Sequence, residues 1–313
     1  MMALIVAVGE ILVEMVATAL DQGFAAPGTF AGPYPSGAPA IFIDQAARMG
    51  ASTAIVGSVG SDGFGECVLS RLSHDGVDIE AVSRLADVAT GVAFVGYRRD
   101  GSRSYIFHMA NAAAGRLAAD DLDPATFRDC RILHVMGSSL FSPQMGEAIH
   151  RAVRLALDAG ARISFDPNVR QELLGRPGTA ELIAELAGLA HILLPSEADL
   201  AHLRPGLAMD EAARQMLLGP AECVFLKCGA AGSVYYDHAR RIATPAFPVT
   251  EVDPTGAGDC AGGTFVAGLL SGLPIEETLR RANAAGAMAV CKRGPMEGNS
   301  SEAELGAFLR QAA

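Results

Sequence analysis

The chain opens on an unbroken apolar run, residues 3–8, that stops at Gly9. A short run without polar alternation is what a strand buried on both faces requires, so it is expected to be the first strand of a sheet. Residues 17–37 lose any period. Gly23, Pro27, Gly28, Gly32, Pro33, Pro35 and Gly37 punctuate them, and loops with short edge strands are expected there. A helix is expected over residues 38–49, ended by Gly50, and a strand over 52–59. Two strand-like runs, 91–97 and 104–108, flank a polar tip containing Asp100-Gly101, a dipeptide that favours a tight hairpin. This hairpin is expected to pair with the irregular segment before Gly37. Beyond Ala119, apolar strands at 132–136, 162–165, 191–195 and 223–227 alternate with helical stretches, the pattern of a parallel sheet covered on both faces. Residues 249–252 lead into Asp253. Helices are then expected to about 271, with Gly272 and Pro274 marking the end, and from 276 to about 291.

Composition narrows the classes. The 313 residues are 50% hydrophobic and 19% charged, enough for a large core, and no repeat or linker divides them. The formal net charge of -11, with no cluster of Lys and Arg, argues against a nucleic-acid surface. It leaves room for a nucleotide, because backbone amides and one or two placed cations hold phosphate in an acidic protein. The apolar start resembles a secretory signal but lacks a basic leader and is interrupted by Glu10 and Glu14, and no stretch is long enough to span a membrane. The six cysteines form no Cys-x-x-Cys pair or zinc-ligand pattern, so reduced thiols in a cytoplasmic protein are expected. Cys260 is either a reactive thiol at a helix start or a small core side chain. The seven histidines are scattered, and no nucleophile elbow, Walker pattern or dinucleotide fingerprint is present.

The chemistry concentrates in Asp253-Pro254-Thr255-Gly256-Ala257-Gly258-Asp259-Cys260. Small residues at 256–258 let successive N–H groups point one way at the start of a helix, which carries partial positive charge. That is an anion cradle, or an ordinary helix start with an Asp cap. A carboxylate beside a phosphate site makes sense where it faces an attacking hydroxyl, the arrangement of phosphoryl transfer. Ligands of parallel sheets sit beyond the carboxyl ends of the strands. There the sequence places Asp166, Asn168, Arg170, Ser196, Asp199 and Lys227, with the turn Gly229 to Gly232. Singly each is also explained by turns and caps; together with the cradle they form one candidate rim.

In this order of motifs the chain resembles the ribokinase-like, PfkB-type carbohydrate kinases over nearly its whole length. Gly9 to Glu14 is similar to the family's first strand, Ser36 to Ala40 to its glycine motif, Val59 to Gly65 to its next loop, and Asp253 to Asp259 to its second signature. The resemblance implies a single α/β domain, doubly wound, with a mostly parallel sheet and helices on both faces. It also implies a small β-sheet lid, supplied by residues 10–37 and 91–110. It implies an ATP-dependent sugar kinase using Mg2+, with Asp259 as catalytic base and Gly256, Ala257 and Gly258 as anion hole. Lys227, Gly229, Gly232 and Asn283 would line the nucleotide site. Glu14, Gly37, Ala38, Asn168, Arg170 and Asp259 would bind the sugar. Asp199 would help place magnesium indirectly, and Asp253 with Thr255 resembles a monovalent-cation loop for K+.

The departures lie at the substrate end. Glu14 stands in place of a sugar-binding Asp, Ile41 in place of an Asn, and Met109 removes the Arg of a Phe-Tyr-Arg pattern. Ser196 and Asp199 replace Asn and Glu of the magnesium element. A neutral keto-sugar is favoured; a 2-keto-3-deoxy sugar acid or a nucleoside remains the alternative within the chemistry. An inactive sugar-binding regulator is the alternative outside it. Exposed edges of the lid sheet are expected to pair two copies as a homodimer.

Overall fold

The computed structural model describes residues 4–100, 102–169 and 178–312. Arg170, singled out above for the substrate, lies outside them, as does Gly101 at the hairpin tip. The strands are β1 (Ile5–Val8), β2 (Leu12–Ala17), β3 (Phe30–Ser36), β4 (Thr53–Gly60), β5 (Val77–Asp78), β6 (Val82–Leu85), β7 (Gly91–Tyr97), β8 (Arg103–His108), β9 (Ile132–Met136), β10 (Arg162–Asp166), β11 (Ile192–Leu193), β12 (Cys223–Lys227), β13 (Ser233–Asp237) and β14 (Arg241–Thr244). The helices are α1 (Ala38–Arg48), α2 (Gly63–His74), α3 (Pro143–Asp158), α4 (Thr179–Leu189), α5 (Glu197–Leu203), α6 (Met209–Met216), α7 (Ala257–Leu270), α8 (Ile275–Ala289) and α9 (Glu302–Gln311).

The main sheet runs β14-β13-β12-β11-β10-β9-β1-β4-β5, with β6 also on β4. From β12 to β5 all pairings are parallel, and β13 and β14 add an antiparallel edge. Side-chain alternation along each buried strand divides the core into two layers. Val6, Val8, Leu133, Val135, Ile163 and Phe165 pack with α3, α4, α5 and α6. Ile5, Ala7, Ile55, Ile132, Ile192 and Phe225 pack on the other side with α1, α2, α7 and α8. The expected doubly wound α/β layout is the one observed. The antiparallel edge and helices α2 and α9 are additional to the expected elements.

A separate four-stranded sheet has the order β3-β2-β7-β8. The hairpin β7–β8 pairs antiparallel from Val92↔His108 to Tyr97↔Arg103, and β2 lies parallel to β7. Pro33 and Pro35 fall in β3, on the sheet's edge, where a missing N–H costs no ladder bond. Segments 12–36 and 91–108, remote in sequence, therefore make one unit over the carboxyl end of β1. Among the described residues no helix is long and apolar enough to cross a membrane.

Candidate active site

Two cavities meet at the carboxyl ends of the parallel strands. The first, about 520 Å³, lies between the small sheet and the main one. Glu14, Gly37, Ala38, Ile41, Met109, Asn168, Asp199, Thr255, Gly256 and Asp259 line it, so the substrate residues expected from the sequence come together, apart from Arg170. The second, about 450 Å³, is lined by Lys227, Gly229, Gly232 and Asn283, with Ala257, Phe247 and Gly286. Lys227, Gly229, Pro254 and Gly258 border both. A ligand in each cavity would thus meet the other at the start of α7.

That start is built by backbone conformation. Gly256 is the N-cap of α7 in the left-handed region, φ 81° and ψ -10°, with no side chain to cap the helix. Side chains cap α2, α3, α5 and α9, and α1, α4, α6 and α8 lack such a cap as α7 does; what sets α7 apart is that its start borders both cavities. The amides of Ala257 and Gly258 stand at the open end of α7, where no helical carbonyl precedes them, and the helix adds partial positive charge behind them. Asp259, on the first turn, is buried and faces the first cavity. Gly37 serves the same wall: at φ 109°, a Cβ there would stand 2.4 Å from the Glu10 carbonyl oxygen. The glycine lets α1 begin against the β1–β2 turn.

Charges are concentrated around Lys227. Its ammonium, mostly buried, donates to Asp166 Oδ2. Burial acts to lower its pKa, but the carboxylates of Asp166 and Asp199, with a further contribution from Asp259, outweigh it and hold the ammonium above its ordinary range. Three carboxylates therefore surround one cation, and the rim is negative before any phosphate arrives.

Several expected site residues are already engaged. Asp199 Oδ1 accepts from the Val169 amide at 2.7 Å, and its Oδ2 accepts from the Ser196 amide at 2.7 Å and hydroxyl at 2.6 Å. Asn283 Nδ2 donates to the carbonyls of Thr244 and Pro245 at 2.9 and 3.1 Å, tethering α8 to the strand end beside the second cavity. Asp253, buried, lines neither cavity: Oδ1 accepts from the Thr255 amide at 2.9 Å and Oδ2 from the Gly294 amide at 3.0 Å. Cys260 is a core side chain. Its thiol donates to Asn299 Oδ1 at 2.7 Å, and burial, then Asp259, pushes it well above the ordinary thiol range.

The sequence did not single out Glu10 as a site residue, nor Ser138, Tyr97 or Arg103. Glu10 lines the first cavity and accepts from Ser138 Oγ at 2.9 Å and from Ser139 Oγ. Its signal was an acidic residue directly after an apolar parallel strand, where ligands gather. Arg103, Tyr105 and Phe107 alternate along β8 and all line the first cavity, a period-2 pattern visible in the hairpin.

Similarity to known proteins agrees with this geometry. Residues 2–302 match the pfkB family of carbohydrate kinases. Fructokinase-1 of Zea mays is 31% identical over 318 residues, covering 99% of this chain and 98% of the relative. A protein from E. coli provisionally named Ribokinase II is 43% identical, with TM-score 0.95 over 99% of each chain, and has also been solved in complex with ATP and Mg2+. Fructokinase from Xylella fastidiosa with bound ATP superposes with TM-score 0.87 at 27% identity over 98% of each chain. The chain belongs to the PfkB family of carbohydrate kinases, and is an ATP-dependent phosphotransferase that acts on a sugar hydroxyl.

Proposed function

We propose that the sugar is a neutral keto-sugar of the fructose type, bound in the first cavity beneath the small sheet acting as a lid, with ATP in the second. The observation that carries this reading is the uncapped start of α7, with Asp259 beside it, at the junction of the two cavities. Asp259 accepts the proton of the sugar hydroxyl as its oxygen forms a bond to the γ-phosphorus. The bond from that phosphorus to the β–γ bridging oxygen breaks, and ADP leaves with the electron pair. The amides of Gly256, Ala257 and Gly258 stabilise charge on the transferred group. Lys227, which borders both cavities, is the cation placed to meet the phosphates.

The residues fit magnesium supplied with the nucleotide. Among the described residues no group of three or more His, Cys, Asp or Glu is placed to hold a metal alone. The surplus negative charge around Lys227 suits a divalent cation held mainly by phosphates and waters, with Asp199 touching it through water. The ion's contribution is to neutralise charge on the phosphates. For potassium the fit is poor. Asp253 is committed to backbone amides and to a tyrosine hydroxyl, and Thr255 shares that hydroxyl.

Glu10, Glu14, Asp199 and Asp259 outnumber the cations Arg103 and Lys227 on the wall, Lys227 is already paired with Asp166, and Met109 stands where the resemblance places a further cation, so the balance disfavours a substrate carboxylate. The fructokinase names of the relatives point the same way. The small sheet's outer side, with Phe24, Phe30 and Phe94 in contact, supports pairing of two copies there, which light scattering of Phe94→Asp against wild type would test.

The decisive assay is ADP release with D-fructose, D-ribose, a 2-keto-3-deoxy sugar acid and a nucleoside, for wild type and Asp259→Asn. Fructose turnover by wild type, and a loss of about 10³-fold in kcat for the variant with sugar KM little changed, is expected. Preference for the acid or the nucleoside would overturn the substrate reading. Retained turnover in Asp259→Asn would overturn the base.

A further inference from the structure

Tyr97 and Arg103 form the last pair of the β7–β8 ladder, on the face that carries Ala93, Tyr105 and Phe107. Those three line the sugar cavity; Tyr97 instead reaches past it. Its hydroxyl donates to Asp253 Oδ1 at 2.5 Å and lies 3.0 Å from Thr255 Oγ1, to which Arg103 Nη1 also donates at 3.5 Å. Asp253 holds the Thr255 and Gly294 amides, and its own amide donates to the Val290 carbonyl at 3.1 Å. One buried carboxylate thus joins the small sheet, the segment after α8 and the residues directly before Gly256.

This contact is suited to transmit position. Thr255 is one residue from the left-handed glycine whose dihedrals aim the first amides of α7. Oδ1 takes both the Tyr97 hydroxyl and the Thr255 amide, so moving the sheet changes the hydrogen bonding of the carboxylate that fixes Thr255. Burial, then the bond to Asp253, holds the phenol above its ordinary range, so the hydroxyl remains a donor at every working pH.

We infer that Tyr97 is a positioning residue whose hydroxyl couples the seating of the small sheet over the sugar to the setting of the anion cradle. The inference rests on the reading that the α7 amides receive the phosphoryl group. Its consequence is that sugar in the first cavity and ATP in the second strengthen one another, although Tyr97 lines neither cavity. It also follows that the cradle is incompletely set when the sheet is not seated, which limits transfer of phosphate from ATP to water.

The test compares Tyr97→Phe, Thr255→Val and the double variant with wild type. Its measurements are kcat, sugar KM, ATP affinity with and without fructose, and the melting midpoint. Each single variant is expected to lose about tenfold or more in kcat, with sugar KM within threefold and most of the sugar's tightening of ATP binding gone. The double variant should be no worse than Tyr97→Phe alone, because Tyr97→Phe removes both the bond to Asp253 and the contact with the Thr255 hydroxyl, and Thr255→Val removes only the second of these from the path. Additive losses, unchanged coupling, or an effect confined to sugar KM would overturn the inference. Should Tyr97→Phe fail to fold, Thr255→Val carries the same expectations alone. Gly256→Ala separates the cradle from its coupling to the small sheet. If it keeps full turnover, the cradle reading itself fails; if it loses turnover while Tyr97→Phe retains wild-type coupling, the coupling alone fails.

Discussion

Replacing Gly256 by Ala tests whether the cradle is set by backbone conformation. At φ 81° an L residue costs about 1–2 kcal/mol. The added Cβ would stand 2.4 Å from the Pro295 carbonyl oxygen and 3.3 Å from Ile41 Cγ2, so the chain must part from Pro295 by at least about 0.6 Å to reach a tolerable contact. Pro295 has little freedom to retreat. The Gly294 amide is held by Asp253, and the Met296 carbonyl accepts from Arg71 at 2.9 Å. The displacement is therefore taken up by the turn at 255–257. Summing backbone and steric contributions gives a loss of about 2–4 kcal/mol, or roughly 3–6 °C in melting midpoint for a chain of this size. Amides moved by half an ångström or more should lower kcat by about 10²-fold. Gly258→Ala is the internal control. Its Cβ would meet Lys227 Nζ at 3.5 Å, an ordinary contact, and no left-handed backbone is needed. It should melt within about 1 °C of wild type, since alanine favours the helix. Differential scanning fluorimetry and coupled ADP release on both variants give the comparison. A Gly256→Ala protein with wild-type melting and turnover would refute the reasoning.

Two further outcomes follow from charges away from the reacting atoms. Asp44, fully buried on α1, has its carboxyl raised from 3.8 to about 7, chiefly by burial, with Arg71 opposing. Because the folded value is the higher, its contribution is present in full below about pH 4 and is lost as pH rises through about 7. Asp44→Asn keeps an acceptor for Asn299 and should gain up to about 3 kcal/mol on wild type between pH 5 and pH 8, read as a widening difference in melting midpoint; a difference that stays constant with pH would refute the assignment. Exchange of potassium for choline should leave kcat within twofold, since Asp253 and Thr255 are held by protein donors; a tenfold loss would restore a cation to that loop.

How far the sequence carried the fold depends on what each strand faces. β1, β9, β10 and β12 are buried on both sides and stand out as unbroken apolar runs, and β7–β8 shows because Asp100 marks its tip. β2 shows no alternation of its own because it turns Glu14 into a cavity, and β3 was legible only as a short edge strand without bounds, because an edge tolerates Pro33 and Pro35. β13 and β14 pair antiparallel at the far edge, where one exposed face breaks the apolar signal.

For the site, residue types were legible and partners were not. Ser196 and Asp199 looked like two independent departures from the family's magnesium element. In the structure they are one device: the Ser196 hydroxyl receives the Asp199 amide while Asp199 returns to the Ser196 amide and hydroxyl, starting α5 with a reciprocal cap. Ser301 and Glu304 make the same reciprocal cap at α9, so the cap accepts either carboxylate length and the Ser at its start is what both share. The same carboxylate then has its other oxygen on Val169, three residues after Asp166, so it also fixes the strand end that carries Lys227's partner. The exchange of Asn for Ser and Glu for Asp is therefore a paired change. Its effect reaches the rim through the backbone and leaves the carboxylate within the field of Lys227.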